Sequence, residues 1–230
     1  MSHYVKKYYN HPTAPNNLLV FLHGYNGHIE DIESQMRYFD QNLQNTLILT
    51  PESTEVCEKN PQKKQWYSLR RFDPDDQRRN PALSLGQLTE IYRHYGPLIR
   101  PVADDLNNLI DSVQRETGIL DSNTAVAGFS QGAMLACFTA LTRRGFDGKC
   151  LMFAGVVAGA DELEKEVRSA PKTYLFHGQD DTSVNFKTME FSKNWLTDHL
   201  IETKAQSYAE LAHRMREDEL ADAVKILKGA

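Results

Sequence analysis

No stretch of this 230-residue chain approaches the ~20 consecutive apolar residues that cross a bilayer, so stable membrane insertion is not expected. Charge of one sign is also scarce. Lys and Arg number 26 against 31 Asp and Glu, for a net charge of −5, which gives no basis for gripping nucleic acid or an anionic lipid surface. There are three cysteines, Cys57, Cys137 and Cys150. Their odd number, without C-x-x-C or metal-ligand spacing, argues against a disulfide framework or a cysteine-built metal site. None lies in an electropositive turn that would make it a nucleophile. Repeats, low-complexity tracts and interdomain linkers are missing too, so residues 1–230 read as one domain. The opening residues, Met1 to Lys7, have no apolar core of the kind a secretory signal carries. With the unpaired thiols, this leads to the expectation of a reduced, cytoplasmic setting.

What is present suits one α/β domain with a single core: 40% apolar and 25% charged residues. Residues 16–24 form an apolar run closed by a glycine, the mark of a central strand covered on both faces. A helix is expected over Glu30 to Leu43, and a short buried strand at Thr46 to Thr50. From Glu52 to about Tyr95 the periodicity dissolves. That stretch carries three prolines, the basic pairs Lys63/Lys64, Arg70/Arg71 and Arg78/Arg79, and the aromatics Trp66, Tyr67 and Phe72. A loop of such length is an excursion near a functional site or a solvated segment pinned by its aromatics; its basic residues read as a solvated face. Regularity returns with an amphipathic helix from Pro97 to Gly118. Strands follow at 124–127, 149–155, 172–178 and 203–208, and helices at about 131–143, 186–200 and 213–228. Alternating strands and helices predict a mainly parallel central sheet flanked by helices.

The stretch with the most specific chemistry is Gly128-Phe129-Ser130-Gln131-Gly132, a G-x-S-x-G turn between a buried strand and a helix. In such an elbow the serine occupies a strained bend, and a Cβ at either glycine would collide with a neighbouring strand or helix. A serine hydroxyl attacks only when a base takes its proton, and the base needs a carboxylate to orient it. Three histidines follow Ser130. His177 ends a strand and reads as a packing residue, and His199 falls late in a helix and reads as exposed. His213 follows the last strand, over the sheet edge where open α/β sheets place their sites, and is the expected base. The acid is Asp180 or Asp181, both in the loop after His177-Gly178. Acyl transfer also needs oxyanion donors. One is the Gln131 N–H, and a second belongs to the Leu22-His23-Gly24-Tyr25-Asn26-Gly27 turn.

Phe21-Leu22-His23-Gly24, Gly-Phe-Ser-Gln-Gly, His177-Gly178-x-x-Asp181-x-x-Val184 and a late His213 together resemble the phospholipase/carboxylesterase family, which includes acyl-protein thioesterase-like enzymes. The resemblance covers about residues 16–228. It implies an α/β-hydrolase fold without a large cap domain, with Asp181 as the acid and the Tyr25 N–H as the second oxyanion donor. It also implies that Trp66 and Tyr67 lie near an acyl-binding groove. Where that family usually has glycine shortly before its histidine, this chain has Ala212. The activity implied is hydrolysis of carboxylic esters or thioesters, lipid or small-molecule, by a monomer or weak homodimer with no metal or organic cofactor. The competing expectation is a catalytically silent α/β-hydrolase fold used as a binding module.

Overall fold

The computed structural model describes residues 4–10 and 12–229; Met1 to His3, part of the opening read above for a leader, lie outside them. Seven strands form one sheet: β1 (Val5–Tyr8), β2 (Asn17–Leu22), β3 (Thr46–Glu52), β4 (Thr124–Phe129), β5 (Lys149–Phe153), β6 (Lys172–Gly178) and β7 (Thr203–Tyr208). Their spatial order is β1-β3-β2-β4-β5-β6-β7. Only β1 runs antiparallel, against β3; every other neighbouring pair is parallel.

The continuous apolar run of β2 is explained by its two covered faces. Leu18, Val20 and Leu22 enter one core with helices α3 (Gly96–Thr117) and α4 (Gln131–Thr142). Leu19 and Phe21 enter the other with α1 (Glu33–Asn42) and α7 (Glu217–Leu227). The period of two along a strand therefore gives no polar face here. Helix α4 is buried along its entire length, and α3 ends at Gly118 in the left-handed conformation (φ 75°) that its position after the last apolar residue predicts. From β2 the chain passes to β3 on one side, then returns past β2 to β4 on the other. The carboxyl ends of β2 and β4 thus flank a crevice at the point where the winding reverses, the usual place for a site in open α/β sheets.

Several elements differ from expectation. The 52–95 stretch is not without regular structure: Leu85–Arg93 forms helix α2. Its start is a capping box in which Ser84 Oγ accepts the Gln87 N–H and Gln87 Oε1 accepts the Ser84 N–H. Helix α5 (Ala160–Glu166) and the four-residue edge strand β1 were also not anticipated. Helix α7 starts at Glu217 rather than His213, because the intervening residues form a loop closed by Glu219 Oε2 accepting the Arg216 N–H at 2.9 Å. α6 covers Lys187–Asp198.

Glu219 is 1% exposed. Burial pushes its carboxyl up from 4.5 to about 7, helped by the charges of Asp218 and Asp181 and opposed by the Arg216 N–H. The folded chain therefore keeps a proton that the unfolded chain releases near 4.5. Stability is lost as pH rises from about 4.5 to about 7, by up to about 3 kcal/mol, and stays level above that for this group. In paired thermal melts, Glu219→Gln is expected to gain on the wild type as pH rises through that window. Parallel pH trends for the two proteins would contradict this.

Candidate active site

Strand β4 ends at Phe129 and α4 begins at Gln131, so Ser130 alone reverses the chain. It does so at φ 56°, ψ −117°, a conformation that a residue with a Cβ holds only when its surroundings enforce it. Two glycines allow the enforcement. A Cβ on Gly128 would lie 2.4 Å from the Gly132 carbonyl, and one on Gly132 would lie 2.4 Å from the Leu22 carbonyl oxygen. Helix α4 is therefore closer to β2 and β4 than any side chain permits. The bend is tied on both sides. The Ser130 N–H donates to the Phe153 carbonyl (2.8 Å), and the Ser130 carbonyl accepts from the Ala133 and Met134 N–H groups.

His213 meets this serine across 83 positions of chain: its Nε2 lies 2.9 Å from Ser130 Oγ. Its Nδ1 lies 2.7 Å from Asp181 Oδ2. A carboxylate can only accept, so Nδ1 carries the proton there and Nε2 is left to receive the one on the serine hydroxyl. The Phe129 ring packs against the imidazole with centroids 4.7 Å apart. Asp181 is fully engaged. Its Oδ1 accepts the N–H groups of Ser183 (2.8 Å) and Val184 (3.0 Å), and its Oδ2 also faces His177 Nε2 at 3.2 Å. Burial by itself would raise the Asp181 pKa, but the hydrogen bonds from His177 and His213 outweigh it and hold the carboxyl well below the usual range.

Of the other candidates, Asp180 is exposed and, among the described residues, offers only its N–H, to the Leu211 carbonyl. His199 is half-buried rather than exposed, stacked on Trp195 and bonded to its carbonyl. His177 does more than pack: buried at the end of β6, it donates to the Val184 carbonyl (2.9 Å) beside Asp181. Its i, i+4 spacing to that aspartate was the available signal.

Gly24 and Tyr25, after β2, line the same cleft as Ser130 and His213. Among the described residues, neither the Tyr25 N–H nor the Gln131 N–H donates to a protein acceptor. Trp66 and Tyr67, expected beside an acyl groove, are 1% and 2% exposed and sit in the core; neither lines the cleft. They brace it from behind. The Trp66 ring stacks on His23 (4.7 Å), and its Nε1–H donates to the His23 carbonyl. Buried His23 donates from Nδ1 to Gly24 O and accepts the Ser53 N–H at Nε2. The Gln131 side chain spans the same junction: its Oε1 accepts the Trp66 N–H (2.9 Å) and its Nε2–H donates to the Tyr67 carbonyl (2.7 Å). Aromatic identity was legible in the sequence, but the direction each ring faces was not.

The cleft, about 120 Å³, is walled further by Leu69, Arg78, Arg79, Tyr92, Met134, Ser183 and Val184. Arg78 is a correction to the solvated basic face. Its side chain is 4% exposed and paired with Asp73 (2.7 Å) and Asp76 (2.6 Å). Among the described residues, one His/carboxylate group has ligand atoms close enough to share a cation: His28, Glu30 and Glu52. Both nitrogens of His28 are already committed, to Glu52 Oε1 and the Gln62 carbonyl, and these bonds raise its pKa.

The family model described as Phospholipase/Carboxylesterase matches residues 9–229. Solved structures with a similar fold include esterase PE8, with TM-score 0.80 at 22% identity over 98% of each chain. Arabidopsis thaliana SOBER1 matches with TM-score 0.75 at 18% identity, over 93% of this chain and 98% of that one. Zea mays acyl-protein thioesterase 2 matches with TM-score 0.70 at 17% identity over 98% of each. At these identities the likeness carries the fold: an α/β-hydrolase sheet without a large cap. No helix among the described residues is long and apolar enough to cross a membrane.

The Gln131 clamp yields a test of stability. Gln131→Ala strands the Trp66 N–H and the Tyr67 carbonyl in a buried junction, which is expected to cost about 2–4 kcal/mol. Chemical denaturation reads this out, and a midpoint equal to the wild type would refute it.

Proposed function

The chain belongs to the phospholipase/carboxylesterase family, and from that premise we propose that residues 1–230 form a single serine-hydrolase domain cleaving carboxylic esters or thioesters. The observation that carries this reading is one imidazole within hydrogen-bond reach of both the Ser130 hydroxyl (2.9 Å) and the Asp181 carboxylate (2.7 Å).

In this mechanism Ser130 Oγ attacks the acyl carbon as His213 Nε2 takes its proton. The imidazolium so formed is stabilised by Asp181, which the donors around it keep ionised. The negative charge gathering on the former carbonyl oxygen is held by the Gln131 and Tyr25 N–H groups, one at the start of α4 where the helix dipole adds to it. His213 passes its proton to the departing alcohol or thiol, and an acyl-Ser130 ester remains. Water then enters, His213 takes a proton from it, and the second tetrahedral adduct collapses to the free acid and the serine. Every proton is moved by His213, so each half-reaction returns the imidazole to its starting state.

A fluorophosphonate probe is expected to form one adduct, on Ser130, that is absent from Ser130→Ala. Each of Ser130→Ala and His213→Ala is expected to lower turnover of an activated ester by as much as about 10⁶-fold, and Asp181→Asn by about 10⁴-fold. A folded wild-type chain that takes no label would favour the silent binding module instead.

A further inference from the structure

The space beside Ser130 is small, and polar groups of Arg78, Arg79 and Tyr92 stand among its apolar lining. About 120 Å³ is available, whereas a cavity of about 150 Å³ holds a single benzene, so a long fatty tail does not fit within it. Tyr92 lines this space, yet it is completely buried and its hydroxyl makes no hydrogen bond among the described residues. Arg78, Asp73, Asp181 and Arg79 all act on that hydroxyl electrostatically, so it lies near both the buried arginine and Asp181. A buried hydroxyl with no partner is rare in a folded chain and calls for an explanation.

Asp73 and Asp76 both bind the Arg78 guanidinium, while neighbouring Arg79 is exposed and forms no ion pair among the described residues. What the wall leaves unmet is therefore an acceptor for the Tyr92 O–H and, at the rim, a partner for one cation. An aliphatic tail supplies neither. We propose that this wall is a subsite for a short acyl group bearing an acceptor oxygen, a keto or carboxylate oxygen, which takes the Tyr92 O–H while the Arg79 guanidinium favours the carboxylate form. The subsite rests on the serine-hydrolase reading and narrows it, from esters in general to short oxygenated acyl esters.

Phenyl esters of pentanoic acid, 4-oxopentanoic acid and glutaric acid (as its monoester) match in length and differ in the distal group. Octanoate serves as the long-chain control. In the wild type, kcat/KM is expected to favour the 4-oxopentanoate and glutarate esters over pentanoate by at least about tenfold, since a site built to hydrogen-bond a substrate discriminates against the analogue lacking the group. Octanoate is expected to be the poorest. Tyr92→Phe removes only the hydroxyl and should bring both ratios towards one. Arg79→Gln should lower the glutarate ratio and spare the 4-oxopentanoate ratio; a glutarate ratio that survives this change overturns the part given to Arg79.

Two failures are distinguishable. Fluorophosphonate labelling of Ser130 with a flat ester profile, or ratios unmoved in Tyr92→Phe, overturns the subsite and leaves the hydrolase intact. No labelling and no hydrolysis of any ester overturns the hydrolase reading, and the subsite with it.

Discussion

The close approach of α4 to the sheet is the constraint on which the site depends. Gly128 and Gly132 leave room for backbone where a methyl group would collide with the Gly132 and Leu22 carbonyls, and the bend between them forces Ser130 to a positive φ. The strain is local, but it is held in place by distant parts of the chain. β5 receives the Ser130 N–H through Phe153, and the 66–67 segment is fastened to the first residue of α4 by the Gln131 side chain. Such over-determination is what lets a sparsely populated backbone conformation persist.

Around that bend, electrostatics follow from which groups are buried together. Asp181 is removed from water but receives two backbone N–H groups and two histidines, so ionisation is favoured despite the burial. Glu219 is also removed from water but has a single backbone donor and negatively charged neighbours, and its pKa moves the opposite way. The contrast shows that donor count, rather than burial, sets the sign for these two carboxyls.

Much of the fold was legible because its signals are local. The two-sided apolar run of β2, the Gly118 stop of α3 and the G-x-S-x-G spacing each express a steric rule acting over a few residues. The histidine candidates could be ranked by their places after successive strands, whereas Asp180 and Asp181 stayed even until the family resemblance favoured Asp181. The rest depended on contacts between distant residues. Helix α2 was concealed in a proline-rich, charged stretch, where its Ser84–Gln87 capping box and the short apolar recurrence Leu85, Leu88, Tyr92 marked it. Arg78 looked solvated because burying a guanidinium requires Asp73 and Asp76 to be folded around it, the latter at φ 55°. Trp66 and Tyr67 were recognisable as important aromatics, but the partners of their rings, His23 for one and Tyr95 for the other, lie far away in sequence.

Part of the cleft wall and the proposed reacting groups come from separate parts of the chain. Leu69, Arg78, Arg79 and Tyr92 all belong to the stretch that leaves the sheet after β3 and returns at α3, whereas Ser130, Asp181 and His213 follow β4, β6 and β7. A lineage can therefore rewrite that part of the wall by altering one contiguous segment, without disturbing the proposed bond-breaking groups, provided the Trp66–Gln131 junction is kept, while Tyr25, Met134 and Val184 wall the cleft from elsewhere. On the proposed reading, this share of the selectivity is inherited as a cassette, and the chemistry as a framework.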